Sequence, residues 1–185
     1  MALEIEPISL NRSLVFGDKT PTILVDIGSY TTSISLIKDG ILKFITQTDF
    51  AGASLTRAIS SSLNINSLRA EEIKKERGIL GVGAYFELAQ SMFPILDIII
   101  NEIKRAEFNL KTNLREEIKF ERVILSGGGA NLLGIENYFT KQLNISTFKA
   151  EPLIHFEYNS NLELLIKELN PVLAVALGLC LREFV

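Results

Sequence analysis

Apolar positions along the chain change period several times, and each change marks an element. Over residues 3–16, Leu3, Ile5, Ile8, Leu10 and Leu14 fall at loosely helical spacing, with Pro7 tolerated in a first turn. Residues 17–20 break that pattern. Residues 22–26, Thr-Ile-Leu-Val-Asp, are apolar until the last position, as in a central strand covered on both faces. Residues 32–38 alternate instead, with Ile34, Leu36 and Lys38 on one face and Ser33, Ser35 and Ile37 on the other. Asp39-Gly40 predicts a two-residue hairpin, whose type I′ turn needs positive φ at both positions, and residues 41–48 return as a third strand. The first strand of this meander ends on an acid, Asp26.

The middle of the chain is helical. Leu55, Ile59 and Leu63 make one stripe over 54–63, and residues 68–77 form a second helix closed by Gly78. A long helix is expected over 85–114, kinked or divided at Pro94, with Phe86, Phe93 and Phe108 assigned to the core. Residues 122–126 predict a fourth strand, followed by a glycine triplet, a helix over 134–143 and a short strand over 145–148. After an irregular stretch, a last helix runs from the Asn170-Pro171 pair, a cap and first-turn combination, to Arg182. The order β-β-β, helices, β-α-β-α is that of an α/β, ribonuclease-H-like domain: a mixed five-stranded sheet with flanking helices. Residues 20–52 and 118–185 would form it, with 53–117 as a small helical insertion subdomain.

Composition narrows the function classes. Of 185 residues, 47 % are hydrophobic and 22 % charged, which suits a packed core. A net charge of −3 gives no basic face for nucleic acid. The single cysteine, Cys180, allows no internal disulfide and fits a reducing compartment. The start is too acidic and polar for a secretory signal, and no apolar run reaches the ~20 uncharged residues that span a bilayer. A cytosolic protein without direct membrane insertion is the expectation. His155 has no metal-ligand company in sequence, and one histidine builds no Ser-His-Asp set.

Three clusters could carry chemistry. Asp26-Ile-Gly28-Ser29-Tyr-Thr31-Thr32 is a turn whose glycine admits close approach of an anion, whose hydroxyls suit phosphate, and whose acid could hold Mg²⁺ through a water. Taken alone it reads as an ordinary tight turn with Asp26 capping its own loop. Gly127-Gly128-Gly129 with Asn131 joins a strand to a helix and leaves no side chain to obstruct a flat ring or ribose; it does not match a dinucleotide fingerprint. Glu71 and Lys74 share a helix face three residues apart, a spacing that by itself reads as a solvated ion pair.

Together these segments resemble the second lobe of the actin–Hsp70–sugar kinase superfamily. Residues 26–32 resemble its second phosphate loop, 126–134 (Ser-Gly-Gly-Gly-Ala-Asn-Leu-Leu-Gly) its adenosine motif, and 171–178 (Pro-Val-Leu-Ala-Val-Ala-Leu-Gly) its second connecting helix. Gly52-Ala-Ser-Leu-Thr56 and Ala70-Glu71-x-Ile-Lys74 match the bacterial division and pilus branch. Each motif is common singly; the five in order carry the likeness over residues 22–182. Within that branch, Asp-Ile-Gly-x-x-Thr-Thr, Leu10-Asn-Arg12 and Leu-Ser-Gly-Gly-Gly look most like the type IV pilus assembly PilM family. Division proteins of the FtsA kind are the alternative, disfavoured by fewer glycines after Asp26 and by the absence of an amphipathic tail before Val185.

The resemblance implies ATP and Mg²⁺ as cofactors. Asp26, Gly28, Ser29, Thr31 and Thr32 would hold phosphate; Gly127, Gly128, Gly129, Asn131, Glu71 and Lys74 would hold the nucleoside. It also implies that the first lobe has no counterpart here beyond one residual helix over 1–16. The groove for a PilN-like inner-membrane partner would lie in that lobe, so this chain should lack it. At most weak ATPase activity is expected of a two-lobed parent and none of the chain alone, which could self-associate through its bare face. A nucleotide-free interaction module with this fold, or a sugar or acetate kinase, are the further alternatives.

Overall fold

The computed structural model describes residues 3–80, 86–114 and 117–184. β1 (Thr22–Ile27), β2 (Thr32–Lys38) and β3 (Ile41–Thr48) form an antiparallel meander, and Asp39 and Gly40 take the positive φ angles, 55° and 72°, that its hairpin needs. β4 (Arg122–Ser126) lies parallel to β1, and β5 (Ser146–Lys149) parallel to β4, giving the order β3-β2-β1-β4-β5. Because β1 and β4 are parallel neighbours, their carboxyl ends stand side by side, with Asp26 opposite Ser126. The bends that follow them therefore leave the same edge of the sheet.

β1 is apolar on both faces because both are covered. On one face Ile23, Val25, Ile27, Ile34 and Leu36 meet α2 (Gly52–Leu63), α3 (Ser67–Arg77) and α4 (Phe86–Leu114) in a single core containing Leu55, Ile59, Met92, Leu96 and Ile99. Residues 53–117 thus bring their helices directly onto the sheet, with α5 (Ile135–Leu143) adding Phe139 to the same core. On the other face Leu24, Ile37 and Ile124 meet α1 (Glu6–Leu14) and α6 (Glu163–Leu181) through Leu10 and Ala174. α1 and α6 touch backbone to backbone: a Cβ on Gly178 would lie 2.0 Å from the Ser9 carbonyl oxygen, and the Ser9 and Arg12 side chains donate to the Val175 and Gly178 carbonyls at 2.6 and 2.8 Å. Gly178 is small because that approach leaves no room for a side chain.

Two expectations need correction, the start of α6 and the burial of Phe86 and Phe108. α6 starts at Glu163, not at Asn170-Pro171; Asn170 turns its side-chain oxygen to the Leu153 N–H (3.1 Å), and Pro171 sits inside the helix. A proline interrupts only local hydrogen bonding, and the turn before it continues with a Glu163–Lys167 pair at 3.1 Å. α4 runs undivided through Pro94. Phe86 and Phe108 are exposed, while Phe93 packs inward on Tyr138 with ring centroids 5.1 Å apart. Residues 160–181 carry Glu163, Lys167 and Glu168, so no run of ~20 uncharged residues exists there. Yet the helix is long and apolar enough to cross a membrane by length and composition, its most apolar 18-residue stretch having a mean hydropathy of 1.8 with 17 % of it buried. Here the helix is stitched to α1 instead. Tyr85, expected to open α4, and the His155 side chain lie outside the described residues.

Candidate functional site

Residues 28–31 close a tight turn in which the Gly28 N–H donates to the Thr31 carbonyl at 3.0 Å. The Gly28 and Ser29 carbonyls are spent on the start of α2, accepting from the Gly52 and Ala53 N–H groups at 3.1 and 2.7 Å. α2 has no side-chain cap from its Ala51, so the turn itself satisfies two of its orphan donors. Thr32 adds a bond from its hydroxyl to the Phe50 carbonyl (2.7 Å) and is buried, so it fastens the turn and does not offer its hydroxyl outward. What is left over is informative. Among the described residues, the N–H groups of Ser29, Tyr30 and Thr31 have no partner inside the chain, and all three residues are exposed. A row of unpaired backbone donors suits an anion.

The glycine triplet stands against the end of β1. Gly127 has φ 77°, donates to the Pro171 carbonyl of α6 (2.8 Å), and would bring a Cβ to 2.5 Å from the Ile27 carbonyl oxygen. A Cβ on Gly129 would lie 2.2 Å from Ile27 Cγ2. Close packing of the bend on β1 thus requires both. Gly128 is different: nothing lies within 4 Å of where its Cβ would be, and its position is exposed. The N–H groups of Gly128 and Gly129 likewise have no partner among the described residues. The fold explains two glycines of the three, and the middle one borders open space.

Between the bends lies a polar patch on the α1–α6 face. Ser126 donates to the Asp26 carboxylate at 2.7 Å, and Ser33 stands opposite Asp26 on β2 with its hydroxyl oxygen buried and unpartnered. Glu6, at the start of α1, shares a hydrogen bond with Asp26. That bond, then burial and the Asp26 charge, push the Glu6 carboxyl up to about 7. Two carboxyls and an orphan hydroxyl beside unpaired amides fit a cation–phosphate pair in chemistry. No group of three or more metal-ligating side chains exists among the described residues, so any ion here would complete its shell with water or phosphate oxygens. Glu6 and Ser33 escaped the sequence reading, since nothing in a separation of twenty residues ties Glu6 to Asp26. Ser126 was legible: it ends β4 as Asp26 nearly ends β1, each just ahead of a glycine bend.

The remaining predicted residues are already occupied. Asn131 donates from its amide to the Glu168 carbonyl of α6 at 2.8 Å. Lys74 is 12 % exposed and bonds the Gly52 carbonyl (3.1 Å), the Thr56 hydroxyl (2.9 Å) and Glu71 (2.7 Å). The pair is therefore not the solvated one that spacing suggested. Burial works to raise the Glu71 carboxyl, but the Lys74 and Thr56 hydrogen bonds prevail and hold it below the usual glutamate value.

Known proteins share this fold. A structure of a PilM–PilN type IV pilus biogenesis complex superposes with a TM-score of 0.81 at 24 % identity, over 98 % of this chain and 52 % of that one. MreB5 of Spiroplasma citri bound to AMPPNP (TM-score 0.70, 16 % identity, 97 % and 57 %) and the ethanolamine utilization protein EutJ of Carboxydothermus hydrogenoformans (0.68, 23 %, 97 % and 55 %) share the fold. The cell division protein FtsA of Buchnera aphidicola subsp. Baizongia pistaciae is 27 % identical over 147 residues, 66 % of this chain and 35 % of that protein. The chain thus spans about half the length of these solved neighbours and about a third of that division protein. The family model for type IV pilus assembly protein PilM matches residues 10–184, from α1 through both bends to the end of α6. An actin-like lobe with the Asp26 turn and the glycine triplet on one sheet edge, matched over almost its whole length, places the chain in the PilM family.

Proposed function

We propose that this chain is the nucleotide-binding lobe of a PilM-like cytoplasmic scaffold for type IV pilus assembly, holding ATP with Mg²⁺ between its two bends. The observation that carries the reading is Gly128, a glycine that packing does not need, whose N–H and that of Gly129 are unpaired and leave the same sheet edge as the unpaired N–H groups of Ser29–Thr31. The amides of Ser29, Tyr30 and Thr31, with Gly28 shaping the turn, hold phosphate. Asp26 orients a hydrated Mg²⁺, and Gly128 and Gly129 lie under the nucleoside. Bound Mg²⁺ would neutralise phosphate charge. The contribution of this chain is to position the phosphates and exclude side chains from the ring.

A PilN-like partner is the reading's second half. The solved neighbour is a PilM–PilN complex, and the corresponding groove is expected on the half of such proteins that this chain does not span. Tethering to the inner membrane would come through that partner. Phosphoryl transfer depends on positioning from both sides, so binding by this lobe alone is weak and turnover absent. α6 favours a further property, self-association: Leu165, Val172 and Leu179 lie along its outer side and are 51 %, 48 % and 47 % exposed.

Calorimetric titration with ATP, adenosine and inorganic triphosphate, each with and without Mg²⁺, tests the nucleotide reading. Mg²⁺-dependent binding of ATP above that of adenosine supports it. Equal affinity for adenosine and ATP would remove the phosphate role of the Asp26 turn.

A further inference from the structure

α2, α3 and α5 each end on a residue with positive φ, and α3 does so differently. α2 and α5 are closed by Asn64 and Asn144, whose φ and ψ (51° and 47°, 56° and 35°) are those of the left-handed cap that asparagine tolerates. α3 is closed by Gly78 at φ 54° and ψ −142°, close to the region that only glycine enters. Its surroundings explain the choice. A Cβ on Gly78 would lie 2.3 Å from the Leu133 carbonyl oxygen and 2.6 Å from the Leu133 nitrogen. The next N–H, that of Ile79, donates to the same carbonyl at 2.9 Å. Gly134 completes the junction: its φ is 90°, and its Cβ would meet Leu80 Cδ2 at 2.8 Å. Ending a helix requires none of this, as the two asparagines show. The glycines let the end of α3 lie backbone to backbone on residues 133–134.

Those residues follow the glycine triplet directly. The Leu132 N–H donates to the Gly129 carbonyl at 3.1 Å, and α5 begins at Ile135. One turn back along α3, about 6 Å at 1.5 Å per residue, Lys74 reaches the Gly52 carbonyl at 3.1 Å, and the Gly52 N–H holds the Gly28 carbonyl. The last turn of α3 therefore spans the two bends. It touches the anchorage of the Gly28–Thr31 turn with one end and the exit of the glycine triplet with the other. The bend beside Gly128 is held by α6 through Gly127 and Asn131, and by α3 through Leu133.

We propose that this junction sets the nucleoside end of the cradle, with Gly78 as a positioning residue that fixes how close α3 stands to the glycine bend. The proposal rests on the nucleotide reading above. Nucleoside binding and closure of the junction are then coupled, and each must favour the other. In the wild-type chain, adenosine at ten times its dissociation constant should slow hydrogen exchange of the Ile79 amide by up to about tenfold, whereas inorganic triphosphate should leave it unchanged. A residue that only ends a helix would respond to neither. Gly78→Asn uses the residue that closes α2 and α5 but adds the Cβ that Leu133 excludes. It should weaken ATP and adenosine by the same factor, at least about fivefold, with triphosphate binding retained. Asn144→Gly, which alters a cap without touching the junction, should leave all three unchanged. Unaltered Ile79 exchange with adenosine bound overturns the proposal, and that measurement needs no variant to fold. Wild-type adenosine affinity in Gly78→Asn overturns it too, as does an equal loss of triphosphate affinity. If the wild-type chain binds neither adenosine nor ATP, the nucleotide reading falls. The ligand-free amide shifts of Gly128 and Gly129 then decide the junction: displaced in Gly78→Asn they support it, and unmoved they overturn it.

Discussion

Replacing the glycines of the triplet one at a time separates packing from ligand approach. In Gly129→Ala the new methyl would lie 2.2 Å from Ile27 Cγ2 and 2.7 Å from Ile27 Cβ. Ile27 is fully buried at the end of the central strand, so neither side can yield without disturbing the sheet. Overpacking of this kind costs about 1–3 kcal/mol. For a chain of this size each kcal/mol lowers the melting temperature by about 2–4 °C, giving a fall of about 2–12 °C. Gly128→Leu meets nothing within 4 Å and needs no unusual backbone angle, so its melting temperature should stay within about 2 °C of wild type. Its side chain would instead occupy the space assigned to the nucleoside, lowering ATP affinity at least about tenfold. Circular dichroism melts and ATP titrations on both variants give four numbers. The reasoning is refuted if Gly128→Leu melts as low as Gly129→Ala, or if it binds ATP as well as wild type does.

Other outcomes follow from the same geometry. Glu6 titrates near 7 because its proton is shared with Asp26, so the stability it adds is fully present below the ordinary glutamate value and is lost as pH rises through about 7; denaturant melts between about pH 5 and 8 should show that decline, flattened in Glu6→Gln. Gly178→Leu should prise α1 from α6 and cost about 3 kcal/mol or more, visible as early thermal unfolding, since Ser9 leaves no room for a side chain. Tyr138→Phe removes the hydroxyl that bonds Asp97 and should cost about 1 kcal/mol in urea unfolding. Leu165→Glu with Val172→Glu should shift any dimer toward monomer in sedimentation velocity while leaving the melt unchanged.

The parts of the fold governed by local chemistry were legible in the sequence. The period-two run of β2, the Asp39-Gly40 turn and the doubly apolar β1 each have one physical solution, and the structure adopts it. Errors arose where tertiary contact overrode a local signal. Asn170 looked like a helix cap, but its side chain was claimed by Leu153, and α6 simply continued upstream. Lys74 and Glu71 looked like a surface pair because spacing reveals only a shared helix face, not that α2 lies over them. The Glu6–Asp26 contact was invisible for the converse reason: it exists only because the fold brings the start of α1 to the Asp26 carboxylate. In the cradle, the glycines announced a bend but not which of them the ligand needs; that required seeing Ile27 beneath Gly127 and Gly129 and nothing beside Gly128.

The central claim is that two bends a hundred residues apart form one cradle for a single nucleotide. A ¹⁵N-labelled sample titrated with Mg²⁺-ATP into the millimolar range detects even weak binding residue by residue. The account predicts that the amides of Ser29, Tyr30 and Thr31 shift together with those of Gly128 and Gly129, along one saturation curve. Shifts confined to one bend, or centred elsewhere on the chain, would contradict it.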